Sequence, residues 1–356
     1  MRRVNVKEEA ISGVLSSAVT GLLAVAGAAA ISLLICVYAR PISIALGILD
    51  APDGRRKIHP TITPLAGGLA IGLPTLLALF YSAWATDFLP LYLVIAIAGL
   101  ASLLLGLLDD RAHIRPIYRL ALSLLLALAA LEIVPALLLS FLHFSFLGQA
   151  VFLEQFALIF TAVCIVGLQN AINMADGKNG IVIGLCLFWS LELLLFAPDH
   201  MRPVLLVVGA ALLVTLAFNL RGRLFLGDSG SYALSFIIAL LTVYVYDTAF
   251  TTLPADLVAL WFLIPVIDCL RVMALRAFRG HSPFDSDRSH LHHMLYHRMP
   301  WRWGLLVYLG LAGMPGLLAS FAPDTALAWG IAALCCYSVI IAWPDRRSQE
   351  AGGTAK

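Results

Sequence analysis

Long apolar runs alternate with short polar stretches along nearly the whole chain. A helix needs about 20 mostly apolar residues to cross a bilayer. Eleven runs are candidates: 10–38, 65–85, 89–108, 117–139, 151–169, 180–197, 203–219, 231–250, 254–270, 303–322 and 325–343. No repeat or low-complexity segment interrupts them, and only the connections 39–64 and 271–302 are long. The pattern predicts an all-α polytopic membrane bundle of about eleven transmembrane helices, a single domain over 1–356. The first run follows Met1, Arg2 and Arg3 as a signal peptide's apolar core does, but it is too long for one and reads as the first span.

Composition narrows the class. The chain is 12% charged, where soluble domains carry about 25%. A net charge of +2, without a helix-turn-helix, zinc-finger or aromatic–basic pattern, argues against nucleic acid as a partner. Cys36, Cys164, Cys186, Cys269, Cys335 and Cys336 all lie in apolar runs without a CxxC pair, so they say little about redox compartment.

Charge sets the orientation. Alternate loops collect Arg40, Arg55, Arg56, Lys57, Arg111, Arg115, Lys178, Arg221 and Arg223 on one side. The arginines from Arg271 to Arg302 and the tail residues Arg346, Arg347 and Lys356 fall on that side too. The other side holds Arg202 and the N-terminal Arg2, Arg3 and Lys7. The positive-inside rule makes the first side cytoplasmic, the N-terminal trio being outweighed.

Four polar motifs fall on that same side. Asp109 and Asp110 close the third span, ahead of Arg111. Adjacent carboxylates diverge by about 100° on a helix, so one can face a metal while the other meets a second ligand. The plainer alternative is a polar helix end held by Arg111. Asn170, Asn173 and Asp176 recur every three residues, a spacing compatible with one helical face, and Gly177, Asn179 and Gly180 follow. Amides and carboxylates between two spans are a functional-site signal. Phe225, Gly227, Asp228 and Gly230 precede the eighth span, with glycines that would let backbone approach a ligand. Asp228 could equally be a helix cap. The densest run holds Arg279, His281, Asp285, Asp287, Arg288, His290, His292 and His293. Zinc would need cysteine or HExxH spacing that is missing. Histidines among arginines suit a diphosphate better.

Should these loops converge, four carboxylates would repel by roughly 3 kcal/mol per pair at about 6 Å and an effective dielectric near 20. A divalent cation would relieve that. Oxygen-only ligands suit Mg²⁺, or Mn²⁺, bridging one or two protein groups to substrate phosphates. The basic cluster Arg55, Arg56 and Lys57 reads as a topology signal, a contact with anionic headgroups or a site for a lipid phosphate. Glu132 and Glu192 lie within spans with no role apparent in the sequence.

Taken together and in order, these motifs resemble the polyprenyl-phosphate N-acetylhexosamine-1-phosphate transferases. The likeness rests on Arg56 to Gly68, Asp109–Asp110, Asn173 with Asp176 and Gly177, Phe225 to Ser231, and the run ending at His293. It implies transfer of a sugar-1-phosphate from a UDP-N-acetylhexosamine to undecaprenyl phosphate, with UMP released. The product would initiate a cell-surface glycan at the cytoplasmic face of a bacterial inner membrane. It implies Asn173 and Asp228 as metal ligands, and Asp109, Asp110 and Asp176 as catalytic residues. Lys57, Asn170, Asn179, Asn219, Phe225, His290, His292 and His293 would bind substrate, Phe225 stacking on uracil with Asn219 nearby. A homodimer is compatible with this. The His-x-His-His spacing is similar to the O-antigen, capsule or teichoic-type branch more than to the muramoyl-pentapeptide branch. Asn179 stands where the family often has an aspartate, which touches nucleotide preference. The rival from another class is a secondary transporter, whose polar breaks would sit near the midplane rather than at helix ends.

Overall fold

The computed structural model describes residues 2–51, 62–284 and 289–343, with side chains from residue 19 onward. Nearly every apolar run becomes a helix, because in lipid each backbone polar group must find its partner within the segment. The first helix, α1 (Arg2–Val37), is followed by a short α2 (Ala39–Leu46). Next come α3 (Gly67–Ala85), α4 (Leu89–Ala112), α5 (Pro116–Ile133) and α6 (Ala157–Ala175). Then come α7 (Ile181–Phe196), α8 (Arg202–Asn219), α9 (Gly227–Ala249) and α10 (Ala255–Phe278). The last four are α11 (Leu291–Arg298), α12 (Trp301–Ala312), α13 (Met314–Ser320) and α14 (Ala326–Ala342). Strand is confined to two antiparallel pairs among the described residues, Leu49–Asp50 with Thr63–Pro64 and Phe141–Leu142 with Val151–Phe152.

Among the described residues, ten helical segments are long and apolar enough to cross a membrane, α12 and α13 counting together as Trp301–Ser320. The remaining run, 180–197, becomes α7, only 16 residues. At 1.5 Å per residue it spans about 24 Å, short of a hydrocarbon core of about 30 Å. The chain is a multi-pass membrane bundle.

Helix ends depart from the hydropathy pattern where charge or proline intervenes. The run 117–139 ends early, at Ile133, because Pro135 cannot continue the helix. The run 254–270 continues past its last apolar stretch to Phe278, so Asp268, Arg271 and Arg276 are helical rather than part of a loop. The run 303–322 is broken between α12 and α13, next to Gly313 and Pro315.

The centre of the bundle is α9. Every residue from Ser229 to Tyr246 is buried, as expected of a helix apolar on all sides. Small residues bring its neighbours close. A Cβ on Gly68 of α3 would stand 2.3 Å from the Gly230 nitrogen, and one on Gly106 of α4 would stand 2.4 Å from the Asp228 carbonyl oxygen. These glycines serve close backbone contact between helices, the usual role of small residues in membrane packing. The start of α3 is also tied to the loop before α9. The Gly67 and Gly68 amides donate to the Phe225 and Leu226 carbonyls at 3.0 and 2.9 Å, and the Phe225 amide donates to the Pro64 carbonyl at 2.9 Å.

Gly68→Ala and Gly106→Ala are each expected to lower stability by about 1–3 kcal/mol, because backbone must move to admit a methyl group. Gly209→Ala on α8, where a Cβ would meet nothing within 4 Å, is the control. Thermal unfolding in detergent measures all three, and equal melting temperatures would refute this account of the packing.

The two glutamates found within spans differ. Glu132 is exposed near the end of α5. Glu192 on α7 is fully buried, its carboxyl has no hydrogen-bond partner among the described residues, and it faces Gly316 of α13.

Candidate functional site

Four of the polar stretches meet on one face, at the ends of α4, α6, α8 and α10 and the starts of α5, α7 and α9. Asp110, at the end of α4, reaches the N-terminus of α9. The amides of Asp228 and Ser229 donate to its two carboxylate oxygens at 2.8 and 3.1 Å. An anion there is favoured by the unpaired amides and the helix dipole. Gly227 allows it: its φ is +77°, a left-handed conformation, and a Cβ would stand 2.8 Å from the Asp110 carboxylate. Asp110 thereby fixes the direction in which Asp228 is presented.

Asp228 meets α6 through Asn173, whose amide nitrogen donates to its Oδ1 at 2.6 Å and to the Ser231 hydroxyl at 3.1 Å. Asp228 also lies against the Asp109 carboxylate and in the field of Asp110. Asp176 completes the group but is not on the helical face that its spacing suggested. Helix α6 ends at Ala175, and Asp176 is its C-terminal cap with non-helical backbone. Burial and the neighbouring Asp110 charge push its carboxyl up to about 7.

Asp109 is only 3% exposed and already engaged. Arg119 of α5 pairs with its Oδ2, the Tyr232 hydroxyl donates to the same oxygen at 3.2 Å, and the Ile114 amide donates to Oδ1 at 2.8 Å. Neither Arg119 nor Tyr232 stands out in the sequence. Both sit inside apolar runs, and only the crossing of α4, α5 and α9 brings them to Asp109.

The amides divide. Asn173 joins the acidic group. Asn170 donates to the Val166 carbonyl of its own helix at 2.8 Å, and among the described residues no bond connects it to the acids. Asn219 is buried, donating to the Leu224 carbonyl at 3.1 Å and accepting from the Gly180 amide at 2.7 Å. It therefore holds the start of α7 against the end of α8. Asn179 accepts the Trp301 indole N–H on its backbone oxygen at 2.9 Å. Phe225 is half-buried in the strip paired with Pro64 and Gly67. Lys57, Asp285, Asp287 and Arg288 lie outside the described residues.

The histidine run packs beside the Asp176 turn. His292 is buried, and the position of a Cβ on Gly177 would be only 2.1 Å from its Nε2. Burial, with neighbouring histidines, holds this imidazole well below the usual histidine range, so it is neutral at pH 7. Its ring is 4.2 Å from that of His293 and stacks at 5.5 Å on that of His290. His290 is anchored by a residue that does not stand out in the sequence, Asp268. The imidazole Nδ1 lies 2.9 Å from Asp268 Oδ2. Its only sequence signal was an acid deep in the apolar run 254–270, twelve residues after Asp256.

Among the described residues no three His, Cys, Asp or Glu side chains converge as a ready metal cage. Four carboxylates nonetheless interact at this face, with Arg119 paired directly to one of them. The donors are hard oxygens. This set fits a cation such as Mg²⁺ that takes one or two protein ligands and completes its shell from phosphate and water, and it does not fit zinc.

A buried acidic group fed by several helix ends, with an arginine–histidine loop beside it, defines a membrane-embedded protein built to handle a phosphorylated substrate. Comparison makes this specific. The sequence matches glycosyl transferase family 4 over residues 92–246, from α4 through α9. It is 31% identical over 268 residues, 72% of each chain, to the undecaprenyl-phosphate alpha-N-acetylglucosaminyl 1-phosphate transferase of Yersinia pestis. It is 28% identical over 269 residues to the protein of the same name from Escherichia coli (strain K12), covering 72% of this chain and 71% of the relative. A Bacillus subtilis (strain 168) protein named as a probable undecaprenyl-phosphate N-acetylglucosaminyl 1-phosphate transferase is 27% identical over 287 residues, 78% of each chain. The chain belongs to glycosyl transferase family 4 and is an enzyme that transfers a phosphosugar.

Proposed function

We propose that this enzyme transfers N-acetylglucosamine-1-phosphate, or a closely related N-acetylhexosamine-1-phosphate, from a UDP-sugar to undecaprenyl phosphate. UMP leaves, and the lipid-linked sugar initiates a cell-surface glycan. The observation that carries this is the Asn173–Asp228 pair at the centre of four carboxylates. It belongs to a chain whose relatives are named for that transfer. The arginines on the site's side of the bundle support a cytoplasmic face of the inner membrane.

An oxygen of the lipid phosphate attacks the phosphorus that carries the sugar. One P–O bond forms, the phosphoanhydride bond breaks, and UMP takes the electron pair. Catalysis of this kind is mostly positioning and charge stabilisation. Asp228 and Asn173 would hold Mg²⁺, which when bound neutralises diphosphate charge. Asp110 aims Asp228 through the start of α9. Asp109, already bonded to Arg119 and Tyr232, orients groups rather than taking a proton. No strong base is required, since a phosphate ester's second pKa is near 6. In this scheme His292 and His293 would contact the diphosphate, and Phe225 and Asn179 the nucleotide.

The test is UMP release by purified protein with undecaprenyl phosphate, Mg²⁺ and a panel of UDP-N-acetylhexosamines, including UDP-muramoyl-pentapeptide. Lipid-dependent release from UDP-N-acetylglucosamine, lost with EDTA, is the expected result. Release only from the muramoyl donor would move the enzyme to that branch. Release without lipid, or undiminished by EDTA, would refute the scheme.

Cation binding also carries a pH signature. Asp176 has a raised folded-state pKa, so its contribution to stability is greatest at low pH and is lost as pH rises through about 7. Neutral buried His292 works in the opposite sense, its contribution being lost as pH falls below the ordinary histidine value. A divalent cation takes the place of a proton in the acidic group and relieves the first loss without touching the second. The rise in Tm on adding Mg²⁺ is therefore expected to be larger at about pH 8 than at about pH 5.5. Equal rises would place the cation away from these acids.

A further inference from the structure

We propose that the histidines of the 290–293 run divide their labour: Asp268 and His290 form a positioning couple, and His292 is the imidazole offered to the substrate. This rests on the transferase reading above.

Asp268 gathers donors from three directions. Besides His290 Nδ1, it accepts from Arg271 Nη2 at 2.7 Å and from the Tyr337 hydroxyl of α14 at 2.8 Å. The Leu291 amide, at the start of α11, lies 3.2 and 3.1 Å from its two oxygens. Asp268 and His290 are 3% and 5% exposed. A carboxylate so placed receives the imidazole proton, so Nδ1 carries hydrogen and Nε2 is the acceptor. That acceptor faces Arg276 Nη2 at 3.4 Å.

Both ring nitrogens of His290 are thus engaged within the protein. The same helix also ties down residues that precede His290. Arg271 donates to the Ser289 carbonyl at 2.6 Å and Arg276 to the Pro283 carbonyl at 2.7 Å. His290 sets where α11 begins and how Arg276 is held.

His292 is the opposite case. It is 1% exposed, yet neither ring nitrogen has a hydrogen-bond partner among the described residues. Its Nε2 lies against Gly177, next to Asp176, and only the missing side chain of Gly177 admits the ring there. A buried polar group without a partner is unfavourable, and a phosphate oxygen at the Asp176 turn would supply one. The stacking of His292 on His290 passes the orientation from the anchored ring to the open one.

Isosteric substitutions separate the two roles. The side-chain amide nitrogen of asparagine stands near the place of Nδ1, and that of glutamine near the place of Nε2. If His290 serves Asp268, His290→Asn retains more UMP release than His290→Gln, which falls by about 10–100-fold as for lost second-layer partners. If His290 instead touches the diphosphate through Nε2, glutamine is the better replacement. Equal losses, or a better glutamine variant, overturn the proposal.

A second arm reads the anchor without catalysis. Hydrogen exchange of the Leu291 amide should quicken in Asp268→Ala and His290→Gln. It should stay near wild type in His290→Asn and in His292→Ala, although His292→Ala loses turnover. Unchanged exchange in Asp268→Ala, or full turnover in His292→Ala, also overturns it. Wild-type protein that released no UMP would refute the transferase reading, and the exchange arm would still decide on the Asp268–His290 couple.

Discussion

Asp228→Ala is expected to lower UMP release by at least about 10²–10³-fold, the range for losing one group that stabilises transition-state charge. The bundle should survive the change. The Asp228 carboxyl accepts a hydrogen bond from Asn173, while its other close neighbours are acids. Removing it relieves its repulsion with those acids, so metal-free Asp228→Ala should melt no lower than metal-free wild type. The Mg²⁺-dependent rise in Tm should shrink in parallel with turnover. UMP release and thermal unfolding of one detergent preparation check both expectations. A variant turning over at near the wild-type rate would remove Asp228 from the site's chemistry.

Arg119→Ala should act on the fold first. It leaves the Asp109 carboxylate, 3% exposed, without its cation. Breaking a buried ion pair by removing one partner costs about 3–5 kcal/mol, much of it for the charge left behind. Arg119 itself is 23% exposed, which favours the lower end. Asp109→Asn should restore part of the loss in the Arg119→Ala background, because an amide needs no counter-charge. The double-mutant cycle measures this coupling. Strictly additive losses would mean that the pair contributes little and that Asp109 is held by Tyr232 and Ile114 alone.

The fold was largely legible because each helix is specified locally. An apolar run of sufficient length must close its own hydrogen bonds in lipid, and the ends misjudged were those where hydropathy and helicity part company. Arg271 and Arg276 lower the hydropathy of the segment after residue 270 without disturbing its helix. Pro135 stops α5 inside a run that is still apolar.

The candidate site was legible as a set of residue types, less so as a set of contacts. Asp109, Asp110, Asn173, Asp176 and Asp228 were visible because acids and amides are costly at membrane boundaries unless they have a purpose. Asn170, Asn219 and His290 looked equivalent to them by composition, yet their polar atoms engage the protein itself. Arg119, Tyr232 and Asp268 do not stand out in the sequence because each lies inside a run whose apolar residues make it read as membrane.

The sequence by itself determined the membrane class, the order of the spans, the side that carries the charge and the chemical kind of the site, hard oxygens with imidazoles and arginines. These depend on run length, residue type and charge balance, all properties of the chain read in one dimension. Only the tertiary structure decided which acid caps α9, which acid pairs with an arginine, and which histidine is left unpartnered. Those assignments depend on how closely α3 and α4 approach α9 through Gly68, Gly106 and Gly230, and on the stretch of α10 beyond its apolar run. Hydrogen bonds of about 3 Å between residues more than a hundred positions apart, such as Asp110 and Asp228, follow from packing.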